Sequence, residues 1–220
     1  MKVPVVRDIL SANERLAEEN RRLLTDHRIC AVNLMASPGA GKTSLILRTI
    51  AALGERVRIG AIEGDIASRV DADKIAAAGI PVVQINTGGT CHLDAPMVGA
   101  ALSELPLTEI DLLFVENVGN LICPVEFGLG TQTSVVVSSI PEGDDKPYKY
   151  PGIFAVVDAI VLNKIDLAPY VPFDRPAFKR LVSGLNAAAP LFELSCATDE
   201  GLDAWVGWLE ALVTRVQGGK

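Results

Sequence analysis

Ile29-Cys30-Ala31-Val32-Asn33-Leu34-Met35-Ala36-Ser37-Pro38-Gly39-Ala40-Gly41-Lys42-Thr43-Ser44 decides the fold. The apolar run Ile29–Met35 has the length of a buried strand. It passes through a turn rich in small residues into Ser44–Leu53 (SLILRTIAAL), which carries a helical period. Strand, glycine loop and helix in that order are the context in which a segment ending in Gly-Lys-Thr cradles phosphate rather than merely turning the chain. Gly39, Ala40 and Gly41 can close backbone N–H groups around phosphate oxygens, and the helix N-terminus from Ser44 onward adds its partial positive charge. Lys42 can bridge the outer phosphates and the Thr43 hydroxyl can ligate Mg²⁺. Ala36 stands at the first position, where glycine is usual; its methyl group is tolerable if φ is negative.

Outward from this segment, further runs of strand length occur at Val57–Ile62, Val82–Ile85, Leu112–Val115, Ser134–Ile140, Ile160–Leu162 and Leu191–Leu194. Helical periods fall between most of them, at Ala67–Ala78, Ala95–Leu105, Arg175–Ala188 and Leu202–Val216. Short buried strands alternating with helices predict an α/β fold, doubly wound, with a mostly parallel sheet covered by helices on both faces. Residues 1–25 read as an N-terminal amphipathic helix, with Ile9, Leu10, Leu16, Leu23 and Leu24 set among charges over Asp8–Leu24. The main domain is then 26–220. Pro141–Gly152 (PEGDDKPYKYPG) lacks a period and reads as a long loop. Trp205 and Trp208, three apart on the last helix, read as packing residues.

The 220 residues suffice for one ordinary core, and 49% of them are hydrophobic against 21% charged. A net charge of −7 gives no overall drive toward nucleic acid or an anionic membrane. No apolar run approaches the roughly 20 residues that span a bilayer. The N-terminal residues lack a secretory pattern, so the expected location is the cytoplasm. Cys30, Cys91, Cys123 and Cys196 are few and widely spaced, which there suggests thiols rather than a disulfide framework.

Asn163-Lys164-Ile165-Asp166 follows the sixth strand and resembles the guanine-reading NKxD motif of GTPases. The Asp166 carboxylate can accept from N1–H and N2–H₂ of guanine, donors that adenine lacks; Asn163 can meet the acceptor edge and the Lys164 stem can cover the ring. A site built on such bonds discriminates by as much as ~10⁴. Ser195-Cys196-Ala197, after the last strand, matches a base-lining loop. Glu116 closes the strand LLFVE and leads into Asn117-Val118-Gly119, a DxxG-like switch in which Glu can act on Mg²⁺ directly or through water. Asp65 and Asp71 follow the second strand. Either can reach Mg²⁺ or orient the attacking water, and Asp65 reads equally well as the cap of a solvated helix start. Asp71, Lys42 and Glu116 are thus the catalytic candidates, and Thr43, Asp65 and Glu116 those for magnesium. Ser37 occupies the place of the second P-loop lysine of some relatives in the nucleotide-dimer class, and no arginine finger is evident, so turnover should be ~10⁻³ per second or slower.

Thr87-Gly88-Gly89-Thr90-Cys91-His92-Leu93-Asp94-Ala95 sets a thiol beside an imidazole, and Cys123 lies just past the switch. Thiolate and imidazole select Zn²⁺ or Ni²⁺ over Mg²⁺. Cys91, His92 and Cys123 give three ligands from one chain, so a fourth must come from water or a second subunit. Isolated cysteines are also often inert core residues.

The segments TGGTCHLDA, ENVGNLICP, EGDDKPYKYPG and NKIDL, in this order, resemble the hydrogenase nickel-incorporation GTPase family of HypB type, from about residue 8 to residue 216. The resemblance implies GTP hydrolysis, a homodimer linked to GTP, and nickel or zinc held between subunits by residues matching Cys91, His92 and Cys123. It implies two partners, a HypA-type nickel maturation protein and the hydrogenase large subunit precursor. Neither an N-terminal cysteine motif nor a histidine-rich tract is present, and with only His27 and His92 nickel storage is not expected. Cys91-His92-Leu93 departs from the Cys-Pro-His of the related urease GTPase, and Asn163–Asp166 disfavours a P-loop kinase or ligase that uses ATP.

Overall fold

The computed structural model describes residues 8–218, with the side chains of residues 8–10 and Glu55 outside that description. The expected roles of Ile9 and Leu10, and the N-terminal residues read for a signal, therefore lie outside the described residues. In chain order the elements are α1 (Asp8–Asp26), β1 (Cys30–Ala36), α2 (Lys42–Leu53), β2 (Ile59–Asp65), α3 (Val70–Ala77), β3 (Val82–Asn86), α4 (Ala95–Ser103) and β4 (Leu112–Glu116). They continue with β5 (Thr133–Ser139), α5 (Lys146–Lys149), α6 (Pro151–Val156), β6 (Ala159–Asn163), α7 (Arg175–Leu185), β7 (Leu191–Glu193) and α8 (Leu202–Gly218).

The seven strands form one parallel sheet in the order β3-β2-β4-β1-β5-β6-β7, which places β1 at its centre. Alternation along β1 assigns its side chains to opposite faces. Cys30, Val32, Leu34 and Ala36 pack with α2 and α8, whereas Ala31 packs beneath α1 and α4 and Met35 beneath α6 and α7. The sheet is thus covered on both faces, as its near-continuous apolar strands require. All the loops that leave the carboxyl ends of the strands gather at one edge, where an open parallel sheet binds ligands. No helix among the described residues is long and apolar enough to cross a membrane.

Element boundaries depart from the periodic reading where polar side chains intervene. β2 runs three residues past Ile62 because Glu63, Gly64 and Asp65 continue the register with Gln84, Ile85 and Asn86 of β3. α3 begins at Val70, later than Ala67, because Asp65 Oδ1 accepts from the Ala67 and Ser68 amides at 2.9 and 2.6 Å and turns the chain first. α7 stops at Leu185: the Asn186 N–H still bonds Val182 O, while its side-chain Nδ2 donates away from the helix to Val157 O at 2.8 Å. The expected long loop Pro141–Gly152 instead contains α5 and the start of α6. Pro147 and Pro151 stand in the first turns of those helices, where a missing N–H costs nothing, so the prolines start helices rather than break them.

Trp205 is fully buried in the α2–α8 layer, and its indole Nε1 donates to Thr49 Oγ1 at 2.9 Å. Trp205→Phe should destabilise the fold by about 1–3 kcal/mol, because it strands a buried acceptor, and adding Thr49→Val should recover part of that loss. Urea titration of the four members of the cycle reads both effects; strictly additive losses would show that the bond contributes nothing.

Candidate functional site

The phosphate loop is shaped by backbone geometry. Gly39 and Gly41 adopt φ of 79° and 102°, the left-handed region that glycine enters at low cost. At Gly41 a Cβ would also lie 2.4 Å from Asn163 Nδ2, so only glycine fits. Lys42 is buried, with Nζ 3.7 Å from Glu116 Oε1, and Thr43 Oγ1 donates to the same carboxylate oxygen at 2.9 Å. The cavity above the loop is lined by Gly39, Gly41, Lys42, Thr43, Asp71 and Glu116.

A second cavity adjoins it and shares Ser44 and Lys164; Asp166, Cys196 and Ala197 line its far side. Its walls are tied together by Asn163 at the end of β6. Asn163 Nδ2 donates to Ala40 O at 3.0 Å, and its Oδ1 accepts from the Lys164 and Cys196 amides at 2.7 and 3.2 Å. The side chain expected at the base edge lines this cavity and also braces the phosphate loop against the base loop. Lys164, with φ of 61°, extends Nζ to Gly39 O at 2.7 Å and so closes the same ring. Ser195 Oγ donates to Asp166 Oδ1 and accepts from the Ala197 and Thr198 amides, which fixes the carboxylate that faces the cavity. Burial pushes the Cys196 and Cys30 thiols up to about 11.

Asp65 spends one oxygen on two backbone amides, and those bonds lower its pKa. The acids whose oxygens lie within 4.8 Å of one another are Glu63, Asp71 and Glu116. Glu63 was not expected. Parallel register sets it directly beside Glu116 across β2 and β4. One oxygen of each, Glu63 Oε2 and Glu116 Oε2, is buried without a hydrogen-bond partner among the described residues. Burial first, and the Glu116 charge second, raise the Glu63 pKa to about 7; burial also raises Glu116, against the pull of Lys42. Two buried carboxylates with orphan oxygens beside the Thr43 hydroxyl form a donor set that fits Mg²⁺, a hard cation that takes oxygen ligands. The sequence signal for Glu63 was an acid directly after the apolar run Val57–Ile62.

At the adjoining end of β3 and β4, Cys91 and Cys123 bring their sulfurs to 3.3 Å, both as free thiols, with His92 within 4.8 Å of the pair. His92 stacks on Phe127, ring centroids 4.0 Å apart, and its Nδ1 is buried without a partner among the described residues. Two thiols and an orphaned imidazole nitrogen are a soft donor set that fits nickel or zinc. The hydrogen bond between the thiols raises Cys123. Asn117, wholly buried next to Glu116, joins this cluster to the nucleotide cradle. Its Oδ1 accepts from Leu93 N and Val118 N, each at 3.0 Å, and its Nδ2 donates to Asn33 Oδ1 at 3.3 Å.

The sheet order and the nucleotide cradle define a P-loop GTPase. The sequence model described as "CobW/HypB/UreG, nucleotide-binding domain" matches residues 30–193. The chain is 46% identical over 206 residues to hydrogenase maturation factor HypB of Azotobacter vinelandii, covering 94% of this chain and 68% of that protein. It is 46% identical over 213 residues to the probable hydrogenase maturation factor HypB of Methanocaldococcus jannaschii, covering 97% and 96%. Among solved structures, HypB of Archaeoglobus fulgidus superposes with a TM-score of 0.87 at 43% identity, covering 92% of this chain and 99% of that one. HypB of Helicobacter pylori in complex with nickel gives a TM-score of 0.88 at 33% identity, covering 94% and 96%. The chain belongs to the HypB family of hydrogenase maturation factors.

The raised carboxylates give stability a pH signature. The unfolded chain releases the Glu63 proton near 4.5, whereas the folded protein keeps it until about 7. Between those values the native state binds more protons, so stability present below the window is lost as pH rises through it. Acids with lowered values, such as Asp65 and Asp111, act in the opposite sense and only below that range. In protein free of cation and nucleotide, the urea midpoint should therefore fall from pH 4.5 to 7.5, and Glu63→Gln should flatten the fall. The same slope in wild type and variant would remove Glu63 from the account.

Proposed function

We propose that this chain is a GTP-hydrolysing metallochaperone that delivers nickel during maturation of nickel–iron hydrogenase in the cytoplasm. The carrying observation is the distance between the two sites. Glu116 abuts the phosphate cavity, and its neighbour Asn117 accepts the Leu93 amide, one residue beyond His92. Cys123 follows seven residues after Glu116 on the same segment. A rearrangement at the γ-phosphate thus reaches both halves of the Cys91–His92–Cys123 cluster through one buried side chain and one short strand exit.

In this reading Gly39, Ala40, Gly41, Lys42, Thr43 and Ser44 hold the phosphates, and Asp166 reads guanine with Lys164, Ser195, Cys196 and Ala197 around it. Asn163 braces that pocket. Thr43 and Glu116 hold Mg²⁺, which when bound neutralises charge on the β- and γ-phosphates. Lys42 draws charge from the leaving oxygens, and Asp71 orients the attacking water. Asp65, which turns the chain with one oxygen, is placed with Thr43 and Glu116 as a residue for Mg²⁺. Hydrolysis is slow. Cys91, His92 and Cys123 take nickel, or zinc, as cargo, and a second copy of the chain completes the coordination in a GTP-linked homodimer. A HypA-type protein supplies the metal and the hydrogenase large subunit precursor receives it. The reading is supported by the family membership, by the nickel complex of the Helicobacter pylori relative, and by the fit of the donor set.

Equilibrium nickel titration of the metal-free protein with GDP and with a non-hydrolysable GTP analogue should give clearly different affinity or metal-to-chain ratio. Identical curves would leave a GTPase whose cysteine cluster is not coupled to nucleotide. Asp166→Ala should erase most of the preference for GTP over ATP, a loss of about 10²-fold or more in the affinity ratio, because the paired donors of guanine lose their acceptor. A ratio that does not move would place base recognition elsewhere.

A further inference from the structure

The cysteine–histidine cluster is built on two chain segments that share no strand: the loop from β3 to α4, carrying Cys91 and His92, and the exit of β4, carrying Cys123 and Phe127. Asn117 holds one side of this junction. The other side is held by α1. Asn13 accepts from Ala95 N through Oδ1 at 2.8 Å and donates through Nδ2 to Gly128 O at 2.9 Å. Two turns further along the helix, Asn20 Nδ2 donates to both Ala95 O and Leu129 O, at 2.9 and 3.0 Å. Each asparagine therefore bonds to Ala95, three residues past His92, and to the residues directly after Phe127, whose ring stacks on His92.

Both asparagines are buried, 5% and 7% exposed, within a helix whose surface is otherwise rich in charge. An amide buried on an amphipathic helix without a partner would cost more than alanine, so its place here is explained by the two segments it bridges. The chain makes room for the helix at Gly130, where φ is 93° and a Cβ would stand 2.4 Å from Ala17 O.

We propose that α1 is a clamp on the metal centre, with Asn13 and Asn20 as positioning residues that set the separation of Cys91 and His92 from Cys123. Neither amide touches the metal; each acts by fixing Ala95 against Gly128 and Leu129, and through them the His92–Phe127 stack. The clamp rests on the reading of Cys91, His92 and Cys123 as the nickel site. It makes α1 part of the binding equilibrium: a metal that joins the two segments must also tighten the helix that spans them.

The test measures nickel affinity and the thiolate-to-nickel charge-transfer band on the full chain for wild type, Asn13→Ala and Asn20→Ala, with GDP affinity alongside. Trp205→Phe, on the opposite face of the sheet, serves as a destabilised control. The asparagine variants should lose about 10- to 100-fold in nickel affinity with a shifted band, as outer-shell changes do, while GDP affinity and the control stay near wild type. Asn13→Asp keeps the acceptor for Ala95 N but cannot donate to Gly128 O, and should lose affinity as well. A measurement on wild type alone guards against misfolded variants: nickel should slow amide hydrogen exchange in residues 11–24. Wild-type nickel affinity in the alanine variants, or exchange in α1 that ignores nickel, overturns the clamp and leaves the nickel site standing. Absence of nickel binding by wild type overturns both.

Discussion

Where a parallel sheet ends, each strand releases its neighbours and the chain must turn over a buried floor, leaving backbone amides and carbonyls that have no ladder to join and no water to meet. In this protein buried asparagine amides discharge that obligation. Asn163 ties the phosphate loop to the base loop, Asn117 ties the exit of β4 to the loop before α4, and Asn33 receives Asn117 from the central strand. An amide suits the task because it both donates and accepts and carries no charge to desolvate. The phosphate loop, the base loop and the cysteine–histidine segments each meet one of these crossings.

The division of labour between backbone and side chain follows. Phosphate chemistry is met by backbone conformation, since Gly39 and Gly41 alone permit the loop its shape. The Asp166 carboxylate is held by Ser195, and the cysteine–histidine cluster lies on two loops held by amides. The first is local in sequence and robust to motion elsewhere. The others are assembled over long sequence separations, so they respond when one segment shifts.

That difference explains what could be read in advance. The seven strands, the covered sheet and the loop residues Gly39 to Ser44 were legible because their physics is periodic or compressed into a few consecutive positions. Cys91, His92 and Cys123 could be grouped through family resemblance, and the 3.3 Å approach of the two sulfurs accords with that grouping. Glu63 was hidden because only the register of β2 on β4 sets it beside Glu116. Asn13 and Asn20 were hidden because their bonds span between 75 and 115 residues. Asp65 kept two local readings, and its bonds to the Ala67 and Ser68 amides supply the turn-forming one; Pro141–Gly152 read as a loop because a proline that starts a helix looks, locally, like one that breaks it.

The adjacency of Glu63 and Glu116 has a further meaning. Two acids at facing positions of neighbouring strands repel, and the sheet keeps them there although both are buried. In the language of energy landscapes this is a knot of frustration tied into the core, and it is one that a cation would undo. The sheet thus holds a conflict between two of its own strands that no neighbouring side chain among the described residues fully resolves.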